Sequence, residues 1–287
     1  MSTTIELDNT PSTLSLYLRA ATGRKASQGD SELPKLSVVL DNVVANPKSL
    51  AQYRDVCGFP LSGSMPVTYP HILAFPLHME LLVSESFPFP LLGLVHVRNE
   101  ISQYRAIGNQ EAVNLECVLG DTRTTAKGKE FDITTYADVA GQRVWESSST
   151  MLYRCKTDIE EDKKPPQALP QFQQQVSWPV PENIGRRYAK VSGDRNLIHI
   201  HALTAKAFGF PKAIAHGMWT KARSLAELDA LLPKQPFKVA VQFKLPIFLP
   251  NNVIFDYQQA ENGLEFMVKD GNGEKPHLAG EISLLAE

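Results

Sequence analysis

The sequence predicts an α+β protein in which one plan occurs twice, with helices first and antiparallel strands after them. Long stretches rich in Val, Ile, Thr and Tyr follow a helix-like region at two places in the 287-residue chain, which is typical of strands. Between the two copies, residues 156–175 are charged and then rich in Pro and Gln, as linkers often are. We therefore expect a peripheral N-terminal extension at 1–35, a first domain at 36–155, this linker, and a second domain at 176–287.

Composition narrows the class of protein and the kinds of partner. The chain is 43% hydrophobic and 21% charged, the balance of a globular protein with a well-filled core. Its formal net charge of −2 gives no overall field that would attract nucleic acid or a membrane surface. We find no apolar run near the roughly 18 residues of a membrane span and no secretory signal pattern. Three widely separated cysteines favour neither a disulfide framework nor a zinc site, so we expect a cytoplasmic protein.

In the first domain, the elements can be predicted in chain order. Residues 36–44 predict a strand, and residues 47–57 predict a helix that begins at Pro47, because proline suits a first helical turn. Residues 65–86 are apolar but contain Pro76. Since proline removes a backbone donor and clashes inside a regular helix, we expect a broken or kinked helix there. Long antiparallel strands with turn signals between them come next.

The second domain repeats the plan. Residues 216–232 place apolar side chains in steps of three and four, which predicts a helix with one buried face. Shorter helices are expected at 181–194 and 204–210. Strands follow, and the pairs Asn262-Gly263 and Asp270-Gly271 are typical of hairpin turns. The stretches LVHVRNEISQYRAI and KVAVQFKLPIFLP look like equivalent strands of the two copies.

The densest polar cluster lies in YAKVSGDRNLIHI, residues 188–200. Asp194 and His199 could form a catalytic acid and base, or could merely shape a turn and cap a helix. The next segment of the chain favours chemistry, because His216-Gly217 opens the longest helix predicted for this half. A helix start offers unpaired N–H groups, and Gly217 would let a ligand approach them. Such a set suits an enolate-forming reaction on a thioester, in which N–H groups stabilise the charged carbonyl oxygen.

The 35 residues YAKVSGDRNLIHIHALTAKAFGFPKAIAHGMWTKA resemble the signature of the MaoC-like, R-specific enoyl-CoA hydratases. That signature is approximately Y-x-x-x-S-G-D-x-N-P-I-H followed by H-G-M. The resemblance implies the hotdog fold, a long helix wrapped by an antiparallel sheet. The two-copy layout resembles the double-hotdog members, whose two sheets pair side by side and whose C-terminal copy alone keeps the catalytic motif. In this chain too, no D-x-N-x-x-H precedes HILAFPLHM.

The resemblance also implies roles for individual residues. Asp194 and His199 match the catalytic pair, which would hold a water molecule and move protons in its syn addition to the double bond. Gly217 matches the glycine whose N–H binds the thioester oxygen. Asn196 matches the asparagine of the motif, which would hold the loop between Asp194 and His199.

Supporting roles are expected for Ser192 in the loop and for His216 as a helix-start residue that orients the site. The sequence departs from the family pattern at two places. Leu197 stands where a proline is usual, and His201-Ala202 replaces the common Asp-Pro. Neither departure removes a reacting group.

The predicted activity is that of a hydro-lyase, the reversible hydration of trans-2-enoyl thioesters to R-3-hydroxyacyl thioesters or the reverse dehydration. Two alternatives stay open. One is a hotdog acyl-CoA thioesterase, which would place a carboxylate such as Glu227 on the long helix. The other is a non-catalytic acyl-thioester-binding protein, for which Leu197 is the only hint.

The substrate is expected to be a small-molecule acyl thioester, with an acyl carrier protein as a possible partner. Coenzyme A or the carrier's phosphopantetheine would be part of the substrate, and neither a separate cofactor nor a metal ion is expected. The chain would be a monomer whose two copies mimic a dimer, or a homodimer. A few of six basic residues could meet the phosphates of coenzyme A: Arg186, Arg187, Lys190, Arg195, Lys212 and Lys244.

The first domain is expected to take the acyl chain. A helix displaced by Pro70 and Pro76 would leave an apolar tunnel along HILAFPLHMELLV, whereas the alternative is that this stretch is ordinary core. Structural roles are expected for His71, His78 and His96, which match no carboxylate pattern.

Overall fold

The protein is described from a computed structural model, in which residues 2–22, 33–91, 93–160 and 168–285 are described. The first half contains β1 (Thr3–Leu7), α1 (Thr13–Thr22), β2 (Leu36–Val43), α2 (Pro47–Cys57), α3 (Tyr69–Val83), β3 (Leu94–Gln103), β4 (Val113–Thr125), β5 (Gly128–Val139) and β6 (Gln142–Arg154). The second half contains β7 (Gln174–Val180), α4 (Ile184–Ser192), a 3₁₀ turn (Leu197–His199), α5 (Ala202–Ala207), α6 (Gly217–Glu227), a second 3₁₀ turn (Asp229–Leu231), β8 (Phe237–Phe243), β9 (Asn251–Ala260), β10 (Gly263–Asp270) and β11 (Pro276–Leu284).

All of these strands join one sheet in the order β1-β2-β4-β5-β6-β3-β8-β11-β10-β9-β7. The pairs are antiparallel except for β1 and β2, which run parallel. The two halves meet where β3 pairs with β8, with Asn99 opposite Val241 and Ile101 opposite Val239. The two stretches predicted to be equivalent strands are therefore neighbours at this seam, and the prediction of two sheets paired side by side is confirmed.

A buried lysine of α6 stabilises the seam. Lys221 is fully buried, and its Nζ donates to the carbonyl oxygens of Asn99 and Val239, at 3.2 Å each, and to Asn99 Oδ1 at 2.6 Å. Asn99 belongs to β3 and Val239 to β8. Because a buried ammonium group needs an acceptor for each proton, these three bonds link the helix to both halves at once.

Most predicted elements are present, with ends within a few residues of those expected. Helix α2 begins at Pro47, and Asn46 caps it by accepting from the Ser49 N–H at 3.0 Å. Residues 216–232 form α6 and a 3₁₀ turn. Of the five apolar residues spaced by three and four, Leu232 is half-buried and the other four are buried: Met218, Ala222, Leu225 and Leu228.

Of the broken or kinked helix expected at Pro76, the break is absent. Helix α3 runs without interruption through Pro76. One face packs on its own half of the sheet, and Ala74, Leu77 and Leu81 are completely buried there. Burial on this scale offsets the lost backbone bond, since packing contributes most of a helix's stability in a protein. Helix α3 thus contacts the sheet of its own half, and the acyl tunnel expected along this stretch stays a prediction.

Two strands were not predicted from the sequence, and both lie at the edges of the sheet. The N-terminal extension supplies β1 beside β2, and β7 at the opposite edge pairs with β9. Pro179 lies within β7, which agrees with the tolerance of edge strands for proline. In the part of the chain described, no helix combines the length and apolar character that crossing a membrane requires.

Candidate active site

The candidate site is built on the turn between α4 and the first 3₁₀ turn. Helix α4 ends at Ser192 and is followed by Gly193, whose φ of 77° is left-handed and suits glycine. The chain then turns back on itself through short hydrogen bonds. The Asp194 N–H donates to Ser192 Oγ at 3.2 Å, and the Asn196 N–H donates to Asp194 Oδ1 at 3.1 Å. The Asn196 side chain caps the 3₁₀ turn by accepting from the Ile198 N–H at 3.4 Å. Ser192 and Asn196 therefore lie where they hold the loop.

The turn brings Asp194 together with two histidines. His199 and His216 are 9% and 3% exposed, and their rings stack with centroids 3.7 Å apart. His216 Nε2 lies 3.8 Å from Asp194 Oδ2, and the Asp194 side chain is 30% exposed. One nitrogen from each histidine and one Asp194 oxygen all lie within 4.8 Å of one another. A metal ion could use the same three groups, so the expectation that no metal binds stays a prediction.

Two backbone carbonyls determine which histidine nitrogens carry protons. His199 Nδ1 lies 2.8 Å from the carbonyl oxygen of Ile214. Because a carbonyl only accepts, Nδ1 carries the proton and Nε2 presents a lone pair when the ring is neutral. His216 Nε2 lies 3.1 Å from the carbonyl oxygen of Asp194, so Nε2 is the donor there. The neutral His199 ring is thus left with a proton acceptor.

The environment keeps Asp194 charged and His199 neutral. Burial by itself raises the pKa of Asp194, but His216, His199 and the hydrogen bonds from Asn196 and Tyr17 together hold it below its usual value. Burial lowers the pKa of His199 in spite of the nearby carboxylate, and burial together with His199 lowers the pKa of His216 to about 3. Near neutral pH the site therefore offers a carboxylate and a neutral imidazole as proton acceptors.

Gly217 lies at the first position of α6, directly after His216. The first N–H group bonded back within the helix is that of Thr220, which reaches the His216 carbonyl at 3.1 Å. The N–H groups before it start the helix and have no acceptor one turn back. A Cβ on Gly217 would lie 2.9 Å from the Phe243 ring. Close packing against Phe243 is therefore one reason for a glycine at this position, and the ligand approach expected from the sequence stays a prediction.

Tyr17 belongs to the site, although no motif in the sequence indicated it. Its hydroxyl donates to Asp194 Oδ1 at 2.9 Å and accepts from the Arg195 N–H at 3.0 Å. Tyr17 belongs to α1, which spans Thr13–Thr22. A helical pattern does not say which distant loop a side chain will meet.

A cavity of about 690 Å³ lies beside this turn, within the size range of small-molecule sites. Tyr17 and Arg195 belong both to its wall and to the surroundings of Asp194. Its lining combines apolar side chains with basic ones: Leu14, Tyr17, Ala20, Ala21, Arg186, Ala189, Lys190, Arg195, Leu197 and Ile200. Three of the six candidate phosphate-binding residues are in this set. Of the others, Arg187 pairs with Asp55 at 3.1 Å, and Lys244 donates to Gln242.

The remaining histidines of interest form a cluster in the first half. The His71 ring lies 5.1 Å from that of His78 and 6.3 Å from that of His96. His78 Nε2 lies 2.6 Å from Thr135 Oγ1, and the His96 ring lies 5.0 Å from Phe243. Burial lowers the pKa of all three, which agrees with neutral, structural rings.

Glu227, which a thioesterase would use, lies at the other end of α6. Ten helical steps of about 1.5 Å separate it from Gly217, or about 15 Å. It pairs with Arg223 at 2.7 Å. The helix therefore carries no carboxylate at its N-terminal end, where the thioester oxygen is expected.

Comparison with known proteins identifies the family. The family described as a MaoC like domain matches residues 163–280. The 3-hydroxyacyl-thioester dehydratase X of Mycobacterium tuberculosis is 33% identical over 279 residues, covering 95% of this chain and 98% of the relative. The chain belongs to the MaoC-like dehydratase family. Membership confirms the predicted hydro-lyase class for this MaoC-like dehydratase.

Solved structures confirm the fold of the MaoC-like dehydratase. The crystal structure of HtdX from Mycobacterium tuberculosis has a TM-score of 0.77 at 32% identity, covering 86% of this chain and 99% of that one. A MaoC-like dehydratase from Phytophthora capsici has a TM-score of 0.69 at 17% identity, covering 89% and 97%. A further Mycobacterium tuberculosis protein, described as a double hotdog fold, has a TM-score of 0.53 at 12% identity, covering 86% and 95%. The predicted double hotdog is therefore confirmed.

Proposed function

We propose that the protein catalyses the reversible syn hydration of trans-2-enoyl thioesters to R-3-hydroxyacyl thioesters. The observation that carries this proposal is that a carboxylate oxygen of Asp194 and a ring nitrogen of His199 lie within 4.8 Å of each other. The relative of 33% identity is named a 3-hydroxyacyl-thioester dehydratase, which agrees with the same reaction written in reverse.

The attacking water would lie between Asp194 Oδ2 and His199 Nε2. Asp194 Oδ1 already accepts from Tyr17 and Asn196, so Oδ2 is the oxygen left for the water. A water that donates one proton to each acceptor keeps a lone pair on its oxygen for attack at C3 of the enoyl thioester. Proton transfer to a positioned base typically accelerates such a step about 10²- to 10⁴-fold.

Asp194 and His199 together take up one proton and return one, so the step balances. As the water oxygen bonds to C3, the π electrons move to give an enolate, and one water proton passes to the Asp194–His199 pair. The same pair then returns a proton to C2, and the enolate becomes the thioester again. Since oxygen and proton come from one side of the substrate, the addition is syn.

The start of α6 would stabilise the enolate. Negative charge develops on the thioester oxygen, and the Gly217 N–H together with the positive end of the helix dipole suits that charge. The helix ends at Glu227, so that its negative end and its nearest carboxylate lie far from the oxygen.

The cavity beside Tyr17 would hold the phosphopantetheine end of the substrate, whether from coenzyme A or from a carrier protein. Its apolar wall suits the pantetheine chain, and Arg186, Lys190 and Arg195 at this cavity suit phosphate groups. An acyl carrier protein as partner, and a monomer or homodimer as the state in solution, remain part of this proposal.

A spectrophotometric hydration assay tests the proposal. The full chain is given enoyl-CoA thioesters of increasing length, and the loss of the conjugated double bond is followed. We expect turnover without a metal addition and with chelator present, and an R product by chiral chromatography. Release of free coenzyme A without hydration would favour the thioesterase, and tight binding without turnover would favour the binding protein. An S product would contradict the proposed stereochemistry.

A further inference from the structure

Helix α1 comes from the N-terminal extension and contacts both halves of the protein. Leu16 is fully buried in a small cluster with Met79 and Val83 of α3, and Arg19 pairs with Glu80 at 2.8 Å. On the other side, the α1 side chain of Thr13 packs against the catalytic turn, since a Cβ on Gly193 would meet it at 3.1 Å. Helix α1 thus packs on α3 of the first half and also contacts the turn of the second half.

Tyr17 is the residue that α1 presents to Asp194. Its hydroxyl donates to Oδ1 at 2.9 Å and accepts from the next N–H, that of Arg195, at 3.0 Å. Burial and the adjacent carboxylate raise the pKa of Tyr17 well above its usual value. The hydroxyl therefore stays protonated and remains a donor near neutral pH.

We propose that Tyr17 is a positioning residue for the reaction. With Tyr17 and the Asn196 N–H both on Oδ1, the carboxylate is fixed in rotation, and Oδ2 is the oxygen directed to the water. Both donors also favour the charged form of Asp194. The inference rests on the proposed function for the role of Asp194, while the contact itself does not.

Tyr17 lies 177 positions away from Asp194 in the sequence, and through this contact it would affect the rate of the reaction. Half of the hydrogen bonds that orient the carboxylate are lost if the hydroxyl is removed. A hydrogen bond to a charged group is among the stronger ones. Its loss should therefore lower kcat, whereas KM should change little because phenylalanine keeps the ring that lines the cavity.

The test compares Tyr17→Phe with Leu18→Ala in the full chain. Leu18 is on the same helix and 61% exposed, so its truncation controls for changes in α1 alone. We expect Y17F to lower kcat about 10- to 100-fold with KM within about threefold, and L18A to match the parent. Because the lost bond favoured the carboxylate, the acid limb of kcat against pH should move to higher pH in Y17F.

Two further measurements make the result decisive. Carbon-13 NMR of aspartate-labelled protein, with Asp194→Asn used for assignment, follows the titration of Asp194 directly and does not depend on turnover. If the parent protein shows no hydratase activity but the titration of Asp194 changes in Y17F, the proposed function is wrong and the positioning role of the contact stands. An unchanged titration, an unchanged kcat, or hydrogen exchange showing that α1 undocks in Y17F would each overturn the assignment of a positioning role to the hydroxyl.

Discussion

Helices α3 and α6 are the long helices of the two halves, and each is followed by the strand that forms the seam, but their first turns differ in chemistry. Helix α3 begins at Tyr69, whose N–H already donates to the Pro66 carbonyl at 2.8 Å, and its second residue, Pro70, has no N–H. Helix α6 begins with Gly217 and Met218, which both keep theirs. The first two residues of α6 thus keep N–H groups that the first two residues of α3 have already bonded or lack.

The segments that precede the two helices differ in the same way. Before α3, the backbone and side chains bond to the core, since Trp145 Nε1 donates to the Val67 carbonyl at 2.8 Å and Tyr53 bonds to Thr68 at 2.8 Å. Before α6, the chain supplies His199 and His216 around Asp194. Polar groups before α3 therefore bond to the core, whereas those before α6 gather around Asp194, where we propose that they serve the reaction.

The largest expected effect removes the chemistry of the second half. Asp194→Asn or His199→Ala should lower the hydration rate about a thousandfold, because each removes a proton acceptor from the pair. The exposed His201→Ala is the matched control and should keep near-parental turnover. Circular dichroism checks that the fold persists, and a D194N or H199A enzyme with full activity would remove that residue from its role.

A second substitution gives α6 a proline at its second position, where α3 has one. Met218→Pro places proline directly after the first helical residue, as in α3, and removes one N–H group of the first turn. Met218→Ala removes a similar side-chain volume and keeps that N–H. We expect M218P to turn over at least about tenfold more slowly than M218A, since oxyanion donors contribute strongly to acyl chemistry. Equal rates for the two variants would leave the Gly217 N–H as the donor that matters.

The smallest effect concerns the histidine cluster of the first half. Burial lowers the pKa of His71, of His78 to about 3 and of His96 to about 4. The unfolded chain therefore binds more protons below the ordinary histidine value of about 6.5. Stability should then fall as the pH drops below that value, by as much as ~1.4 kcal/mol per pH unit for each ring.

His71→Leu isolates one ring of the cluster. His71 Nδ1 is buried without a hydrogen-bond partner among the described residues, so an apolar side chain of similar size should cost little at neutral pH. We expect urea unfolding to show a weaker loss of stability between about pH 6.5 and 5 in H71L than in the parent. His201→Leu, at an exposed site, should keep the parental slope; an H71L slope equal to the parent's would contradict a buried, neutral His71.

Patterns within single segments of the sequence predicted much of the fold and of the candidate site. The α+β class, the duplicated plan, the helix at Pro47 and the amphipathic face of α6 each follow from spacing within one segment. The turn from Ser192 to His199 was also readable, because its bonds join residues only two or three positions apart. Resemblance to a family signature then assigned roles that spacing alone left open between catalysis and a plain turn.

Tertiary structure decided the features that depend on distant segments meeting. Pro76 stays helical because the packing of α3 on the sheet offsets the local cost of a proline inside a helix. The sequence shows that cost but not the packing. Tyr17 joins Asp194 because Leu16 fixes the helix on α3, and the proton positions of His199 depend on the Ile214 carbonyl from another loop. Sequence by itself determines propensity and chemistry within a few residues, whereas burial and proximity arise only when the whole chain packs, and these determine which groups are charged and which atoms react.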